Sequence, residues 1–121
     1  MNEFPPISEL LKRNTIFADL SAAELEEIAH ISEFQKYAKD TLVFSKEAEA
    51  RYMYLVLEGS FILHLHGQAY KAFEPNEIFG EIAVINRQLR TGAVRAKTDS
   101  IALAICGHQL FDQELISATT A

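Results

Sequence analysis

The chain has 121 residues and a formal net charge of −6, from 11 basic and 17 acidic residues. A hydrophobic share of 49% and a charged share of 23% are typical of one globular domain rather than a disordered chain. The acidic balance argues against a nucleic-acid-binding surface, so we expect no direct binding to duplex DNA. A single cysteine, Cys106, excludes an internal disulfide and is typical of a reducing compartment. With no signal-like N-terminus and no apolar run of about 18 residues, the sequence predicts a cytoplasmic protein without a membrane partner.

Residues 1–33 are predicted to form an N-terminal helical segment. Residues 7–14 place apolar side chains on one side of a first helix. Ser21 and Glu24 have the spacing of a capping box, in which a hydroxyl begins the helix and a carboxylate follows three residues later. These helices are expected to cover one end of the domain.

From residue 34 the pattern changes to short runs rich in β-branched and aromatic residues, separated by turn signals. In the last run, Ile101, Leu103 and Ile105 alternate with small residues, which predicts a strand between two unequal layers. Many short strands at close spacing favour an all-β jelly-roll barrel over residues 34–106, within a single domain of residues 1–121. Leu110 and Leu115 predict a final helix over residues 107–118. The predicted strands are residues 41–44, 52–57, 60–66, 68–73, 93–97 and 100–106.

Residues 78–96 have an order of elements that suits an anionic ligand: a short strand, a glycine, one helical turn, an arginine and a second strand. Gly80 allows the backbone to approach a ligand closely. The first amides of the turn after it lack helical partners and favour an anion. Arg90 offers a planar fork that suits phosphate oxygens, and Thr91 follows it directly.

Glu81 lies in the same segment, although a carboxylate would be repelled by a phosphate. Because a carboxylate only accepts hydrogen bonds, it suits hydroxyl donors such as those of a sugar. Dinucleotide-binding folds use an acidic residue on ribose in this way. Glu81 and Arg90 therefore indicate a ligand that carries both a phosphate and a ribose hydroxyl, unless they form a plain salt bridge.

At these residues the chain resembles the phosphate-binding cassette of cyclic nucleotide-binding domains. The resemblance is carried by Phe79-Gly80-Glu81-Ile82-Ala83, by Arg90-Thr91 and by the residues 93–96, with support from residues 16–21 and 54–59. It implies that Glu81 holds the ribose 2′-hydroxyl and Arg90 pairs with the cyclic phosphate. It also implies that the amides of Ile82 and Ala83 hold phosphate oxygens.

The resemblance further implies a ligand-sensing regulatory module that binds cyclic AMP, cyclic GMP or both, without enzymatic activity and without a cofactor. In this family a threonine at the position of Thr91 often accompanies tolerance of cyclic GMP. A further C-terminal helix often covers the purine. Here it would lie beyond Ala121 or come from another chain, or the module would bind weakly without it. A homodimer or an output domain beyond residue 121 is the implied protein partner.

Several positions depart from the family pattern. Asp40, Ala48 and Asn76 stand near places where the family usually has turn glycines, and Leu89 replaces a frequent proline. The change at Asn76 is mild, because asparagine tolerates the left-handed region. These departures favour an alternative in which the fold is a docking or dimerisation module that binds no nucleotide.

His64 and His66 alternate on a predicted strand, so they share a face. A His-x-His pair on a jelly roll is similar to the metal site of cupins, which indicates a metal-dependent enzyme as a second alternative. A metal requires three or more ligands within reach, and the nearest downstream acid is Glu74. Two partly exposed strand histidines are the simpler interpretation, so we predict no metal site and no catalytic residues.

Overall fold

The computed structural model of the chain describes residues 4–112. Two four-stranded antiparallel sheets have the strand orders β1-β8-β3-β6 and β2-β7-β4-β5. The all-β jelly roll with flanking helices is therefore confirmed, as two facing sheets rather than a closed barrel. The elements are α1 (Ile7–Leu11), α2 (Ala22–His30), β1 (Ser32–Tyr37), β2 (Leu42–Phe44), β3 (Tyr52–Glu58), β4 (Phe61–Leu65), β5 (Gln68–Phe73), β6 (Ile78–Phe79), α3 (Glu81–Ile85), β7 (Ala93–Ala96), β8 (Ser100–Cys106) and α4 (Gly107–Asp112).

The strand β8 separates two apolar cores, as its alternation predicts. Its bulky side chains, Ile101, Leu103 and Ile105, pack with residues of the helices on the outer face of the first sheet. Its small side chains, Ala102 and Ala104, face the space between the two sheets, where the aromatic residues gather. Small residues on β8 therefore leave room for large rings around the candidate site.

The helix α2 begins with the capping box that the sequence predicts, whereas α1 is shorter than predicted. The capping box is present: the Ser21 hydroxyl accepts from the Glu24 amide at 3.1 Å, and the Glu24 carboxylate accepts from the Ser21 amide at 2.9 Å. The helix α1 ends at Leu11 rather than at Asn14. Because the Asn14 side chain accepts from the Ile16 amide at 2.9 Å, it favours a turn over a further helical residue.

The strand β1 is a correction to the sequence analysis, which named no strand between residues 34 and 40 and placed residues 32–33 in the helical segment. This strand is mostly polar and half exposed, so its own alternation is weak. Its partner is β8, about 70 residues further along the chain, with Phe34 opposite Leu103. Pairing with a distant strand, rather than local pattern, defines β1. Of the predicted last helix, residues 107–112 are helical, while residues 113–118, with Leu115, lie outside the described residues.

The turns that lack the family's glycines adopt left-handed backbone conformations all the same. Asp40 has φ 72° and Asn76 has φ 76°. In the loop before β3, the left-handed residue is Glu47, with φ 71°, one position before Ala48. The departures at these turns therefore do not prevent the turn geometry, which removes part of the argument for a degenerate fold.

Among residues 4–112, no helix combines the length and the apolar character that crossing a bilayer requires.

Candidate functional site

The cassette has the predicted order of strand, glycine, helical turn, arginine and strand. The strand β6 ends at Phe79, Gly80 follows with φ 82°, and α3 begins at Glu81. A side chain at residue 80 would adopt a strained backbone conformation, and its Cβ would come within 3.0 Å of the Arg90 Nη1 atom. Gly80 thus allows both the sharp turn into α3 and the close approach of the arginine.

The backbone of Arg90 is fixed by the loop before β3. Its amide donates to the Ala48 carbonyl at 2.9 Å, and its carbonyl accepts from the Glu47 amide at 2.7 Å. This pair of bonds fixes the backbone of Arg90 against the loop before β3. Arg90 precedes the first residue of β7, Ala93, by three positions. The left-handed turn at Glu47 therefore contributes to the position of the arginine.

The guanidinium of Arg90 is buried, with 4% of the residue exposed. Nη1 donates to the Gly80 carbonyl at 2.5 Å, and Nη2 donates to the Tyr52 carbonyl at 2.6 Å. The group also lies over the Phe44 ring, 4.0 Å from its centroid. Nε is a buried side-chain nitrogen for which the described residues supply no hydrogen-bond partner. Burial lowers the pKa of Arg90, while Tyr54 and Glu81 raise it.

The Phe44 ring, which lies over the guanidinium, belongs to a cluster of aromatic rings on the inner side of the site. Phe79 lies at their centre, stacked on Tyr54 with ring centroids 5.0 Å apart. Phe61 and Phe73 contact the same ring with centroids at 5.0 and 5.3 Å. Burial raises the pKa of the Tyr54 hydroxyl, which the Arg90 charge partly offsets. The cation of Arg90 therefore lies between the Phe44 ring and two backbone carbonyls, with little exposure to bulk water.

A pocket of about 270 Å³ opens beside these rings, slightly below the roughly 300 Å³ at which typical ligand sites begin. Glu81 and Arg90 form no ion pair within 4.0 Å among the described residues, so the plain salt bridge is absent. All of the residues that the sequence analysis assigned to the ligand line this pocket: Phe79, Gly80, Glu81, Ile82, Ala83, Arg90 and Thr91.

The opposite wall of the pocket was not predicted from the sequence. Tyr70 and Lys71 of β5 line it, together with Leu63 of β4 and Phe44 of β2. These residues come from strands that carry no family motif. The pairing of β2 and β4 with β7, and of β5 with β4, brings them to the cassette. The sequence signal that could have drawn attention to them is an aromatic residue next to a lysine on a strand.

The metal alternative lacks its ligands in the described part of the chain. No group of three or more His, Cys, Asp and Glu residues between residues 4 and 112 could hold a metal ion. Glu74, the nearest acid after the histidine pair, accepts from the Ser60 hydroxyl at 2.9 Å. His64 is half-buried on β4, and His66 is exposed in the turn that follows.

Comparison of the sequence with known proteins gives one family. The profile of the cyclic nucleotide-binding domain matches residues 34–113. A cGMP-dependent protein kinase from Eimeria tenella is 26% identical over 109 residues, which cover 90% of this chain and 11% of the kinase. A cAMP-dependent protein kinase regulatory subunit from Candida albicans is 22% identical over 105 residues, covering 87% of this chain and 23% of that protein. The chain thus spans a small part of these curated relatives.

Solved structures have the same fold. A putative cyclic nucleotide-binding protein from Geobacter metallireducens GS-15 superposes with a TM-score of 0.79 at 28% identity, covering 89% of this chain and 80% of that one. The regulatory domain of Toxoplasma gondii PKA with cAMP superposes with a TM-score of 0.83 at 19% identity, covering 94% and 46%. Together with the profile match over two thirds of the sequence, these similarities show that the chain belongs to the cyclic nucleotide-binding domain family.

Proposed function

We propose that this domain is a ligand-sensing regulatory module that binds cyclic AMP, cyclic GMP or both in the pocket between the cassette and β5. The cGMP- and cAMP-dependent kinase relatives support a regulatory role for domains of this kind. We propose no catalytic residue and no cofactor, because the polar pocket residues Glu81, Arg90 and Thr91 are suited to binding rather than to bond-breaking chemistry.

The observation that carries the proposal is the buried charge of Arg90. Its guanidinium is permanently cationic, yet its hydrogen bonds go to two backbone carbonyls, and within residues 4–112 no carboxylate forms an ion pair with it. A buried charge without a counter-ion is costly, and an unpaired buried nitrogen adds to that cost. An anionic ligand in the adjacent pocket would satisfy both, and a cyclic phosphate has the required charge and acceptor oxygens.

The remaining cassette residues divide the ligand between them. Glu81 at the start of α3 is partly exposed in the pocket and, as an acceptor, suits the ribose 2′-hydroxyl. The amides of Ile82 and Ala83 lie in the first turn of α3, where helical partners are missing, and suit phosphate oxygens. In this arrangement the carboxylate and the cation serve different parts of one ligand.

Ligand binding would be reported through the contact between α3 and α4. Val84 is buried on α3, and a Cβ at Gly107, the first residue of α4, would clash with the Val84 side chain. Because the two helices are in direct van der Waals contact, a shift of α3 toward the phosphate would displace α4. A switch of this kind requires that the ligand make different contacts in the two states. The output would be an attached domain or a second copy of the chain.

Isothermal titration calorimetry with cyclic AMP and cyclic GMP tests the proposal. We expect Arg90→Ala to lose about 2 to 5 kcal/mol of binding free energy, which is about 30-fold to several thousand-fold in affinity. Arg90→Lys should also lose most of the affinity, since a point charge cannot replace the fork. Arg95→Ala is the matched control, because Arg95 is exposed on β7, outside the pocket, and its Nη1 donates to the Asp40 carbonyl at 3.1 Å.

Arg90 also joins β3 to the cassette, so Arg90→Ala is expected to lower the stability of the fold. Arg90→Lys, by contrast, keeps a positive charge at the site. Both variants must therefore be checked for folding by circular dichroism before titration. Unchanged affinity in a folded Arg90→Lys protein would contradict the assigned role of the fork. Failure of the folded wild-type chain to bind either nucleotide would favour the docking-module alternative.

A further inference from the structure

A second pocket, which we call the outer pocket, lies on the outer face of the first sheet. It is lined by residues 4–7, by Phe34 and Lys36 of β1 and by Ile101 of β8, and it shares no residue with the pocket beside the cassette. Its volume of about 410 Å³ exceeds the about 270 Å³ of that pocket. Small-molecule sites have volumes of about 300 to 1,000 Å³, so the outer pocket is large enough for a ligand of its own.

The wall formed by residues 4–7 is held in place by the helix that follows it. The Pro6 carbonyl accepts from the Glu9 and Leu10 amides at 2.9 and 3.2 Å, and Leu10 is buried in the outer core. The backbone of Pro6 is extended, with φ −52° and ψ 148°. Because Pro5 and Pro6 have no amide donors, this wall is poorly suited to pairing with an added peptide strand. A small molecule therefore suits the outer pocket better than a peptide strand.

The apolar part of the lining includes two aromatic rings that the fold leaves partly open. Phe4 and Phe34 stack with their ring centroids 5.6 Å apart and an angle of 16° between the ring planes. Phe34 nevertheless remains 45% exposed, although the side chain of Ile101 on the neighbouring strand is buried. An exposed ring in a concave site is available to the apolar body of a ligand.

Lys36 adds one positive charge to this apolar lining. It lies two residues after Phe34 and opposite Ile101 of β8, so its side chain is on the same face of the sheet as the Phe34 ring. Lys36 is exposed and forms no ion pair within 4.0 Å among residues 4–112. In the same part of the chain, no acidic residue lines the outer pocket. The lining is therefore complementary to a ligand with one anionic group.

We propose that the outer pocket binds a small amphiphilic anion, with its apolar body against Phe34 and its acidic group on Lys36. Burial of the apolar body supplies most of the affinity, and the ion pair with Lys36 adds affinity for an anion. The ligand bridges residues 4–7 and the first sheet, so it stabilises the folded state by binding to it. This site does not depend on cyclic nucleotide binding, since the two pockets share no residue.

Two fluorescent probes that differ in one charged group test the role of Lys36. The dye 1-anilinonaphthalene-8-sulfonate carries an acidic group, and N-phenyl-1-naphthylamine has the same rings without it. We expect Lys36→Met to weaken the sulfonate by about 2- to 5-fold and to change the uncharged amine by less than about 1.5-fold. Added salt should weaken the sulfonate in the wild type but not in Lys36→Met. Lys97→Met is the matched control, because Lys97 is exposed and lines neither pocket.

Phe34 is tested with variants that remove or keep the ring. Phe34→Ala should weaken both dyes by about 5- to 30-fold, whereas Phe34→Tyr should leave both affinities within about 2-fold. Each variant is first checked by circular dichroism, since such dyes also bind partly unfolded chains. Lys36→Met changes only an exposed side chain, so it keeps the proposal testable if Phe34→Ala does not fold.

Equal effects of Lys36→Met on the two dyes, or affinities unchanged by Phe34→Ala, would overturn the proposal. Competitive displacement of the sulfonate by cyclic AMP would also contradict it, because the dye would then occupy the pocket beside the cassette. Sedimentation velocity examines another occupant: a wild-type dimer that Phe34→Ala separates into monomers would assign the outer pocket to a second copy of the chain instead. Arg90→Lys should leave both dye affinities unchanged, so failure of nucleotide binding and failure of this inference are measured separately.

Discussion

Thr91 occupies a position where one hydroxyl can affect ligand choice. It directly follows Arg90, is exposed and lines the pocket. A hydroxyl both donates and accepts, so it can contact the cyclic phosphate and a purine amino group together. Guanine carries a 2-amino donor that adenine lacks. The Thr91 hydroxyl would therefore favour guanine over adenine.

We predict that both cyclic nucleotides bind and that Thr91→Ala weakens cyclic GMP more than cyclic AMP. One neutral hydrogen bond contributes about 0.5 to 1.5 kcal/mol, so selectivity should change by about 2- to 10-fold. Cyclic IMP, which lacks the 2-amino group, should respond to Thr91→Ala as cyclic AMP does. Parallel losses for all three ligands in calorimetry would instead assign Thr91 to the phosphate alone.

Site residues could be predicted from the sequence where they lie close together along the chain. Gly80, Glu81 and Arg90 are close in sequence, and chemical reasoning on their residue types brings them to one pocket, where the structure places them. Tyr70 and Lys71 line the same pocket, but a bulge in the β4–β5 ladder positions them. A bulge depends on pairing between strands, and no residue pattern within β5 signals it.

At the scale of elements, strands with clear alternation were predictable and β1 was not. The alternation of β8 was enough to predict two unequal layers, because one face is bulky and the other small. The strand β1 is mostly polar, so it exists through its pairing with β8 rather than through its own sequence pattern. Local residue patterns therefore predict even an edge strand such as β5, but they miss β1, which depends on a distant partner.

The contact between α3 and α4 is expected to contribute to the stability of the fold. A Cβ at Gly107 would clash with Val84 Cγ1, so Gly107→Ala should lower the free energy of unfolding by about 1 to 3 kcal/mol. Val84→Ala should also destabilise the protein, by about 1 to 3 kcal/mol, because it removes buried methyl groups. Since the second change creates the space that the first requires, the double variant should lose less than the sum of the two.

Urea unfolding of the wild type, both single variants and the double variant completes this cycle. Ala83→Gly is a control, since it changes α3 without removing the contact with α4. Strictly additive losses would mean that the two side chains do not interact, and would remove the proposed route from the cassette to α4.

At the scale of the whole molecule, the core between the sheets contains tyrosines as well as phenylalanines. Tyr37 packs on this core and contacts the Phe61 ring edge-on, with ring centroids 5.6 Å apart. Burial raises the pKa of Tyr37 to about 12, with smaller contributions from Tyr54 and Glu33. The stability of the packing between the two sheets should therefore depend on whether the Tyr37 hydroxyl is protonated.

We predict that the folded state loses stability as the pH rises from about 10 to about 12. Because the pKa of Tyr37 is higher in the folded state than its ordinary value of 10.0, the protein favours the neutral phenol. Its contribution to stability is complete below pH 10 and is lost as the pH rises through about 12. Two pKa units correspond to at most about 2.7 kcal/mol, and partial exposure of the ring reduces the expected loss to about 1 kcal/mol.

Urea unfolding followed by circular dichroism at pH 9 and pH 11.5 measures this loss, and Tyr37→Phe should lessen it by about that amount. The variant should retain part of the slope, since burial also raises the pKa of Tyr54. If the wild type and Tyr37→Phe lost stability in parallel over this range, the alkaline sensitivity would not come from Tyr37.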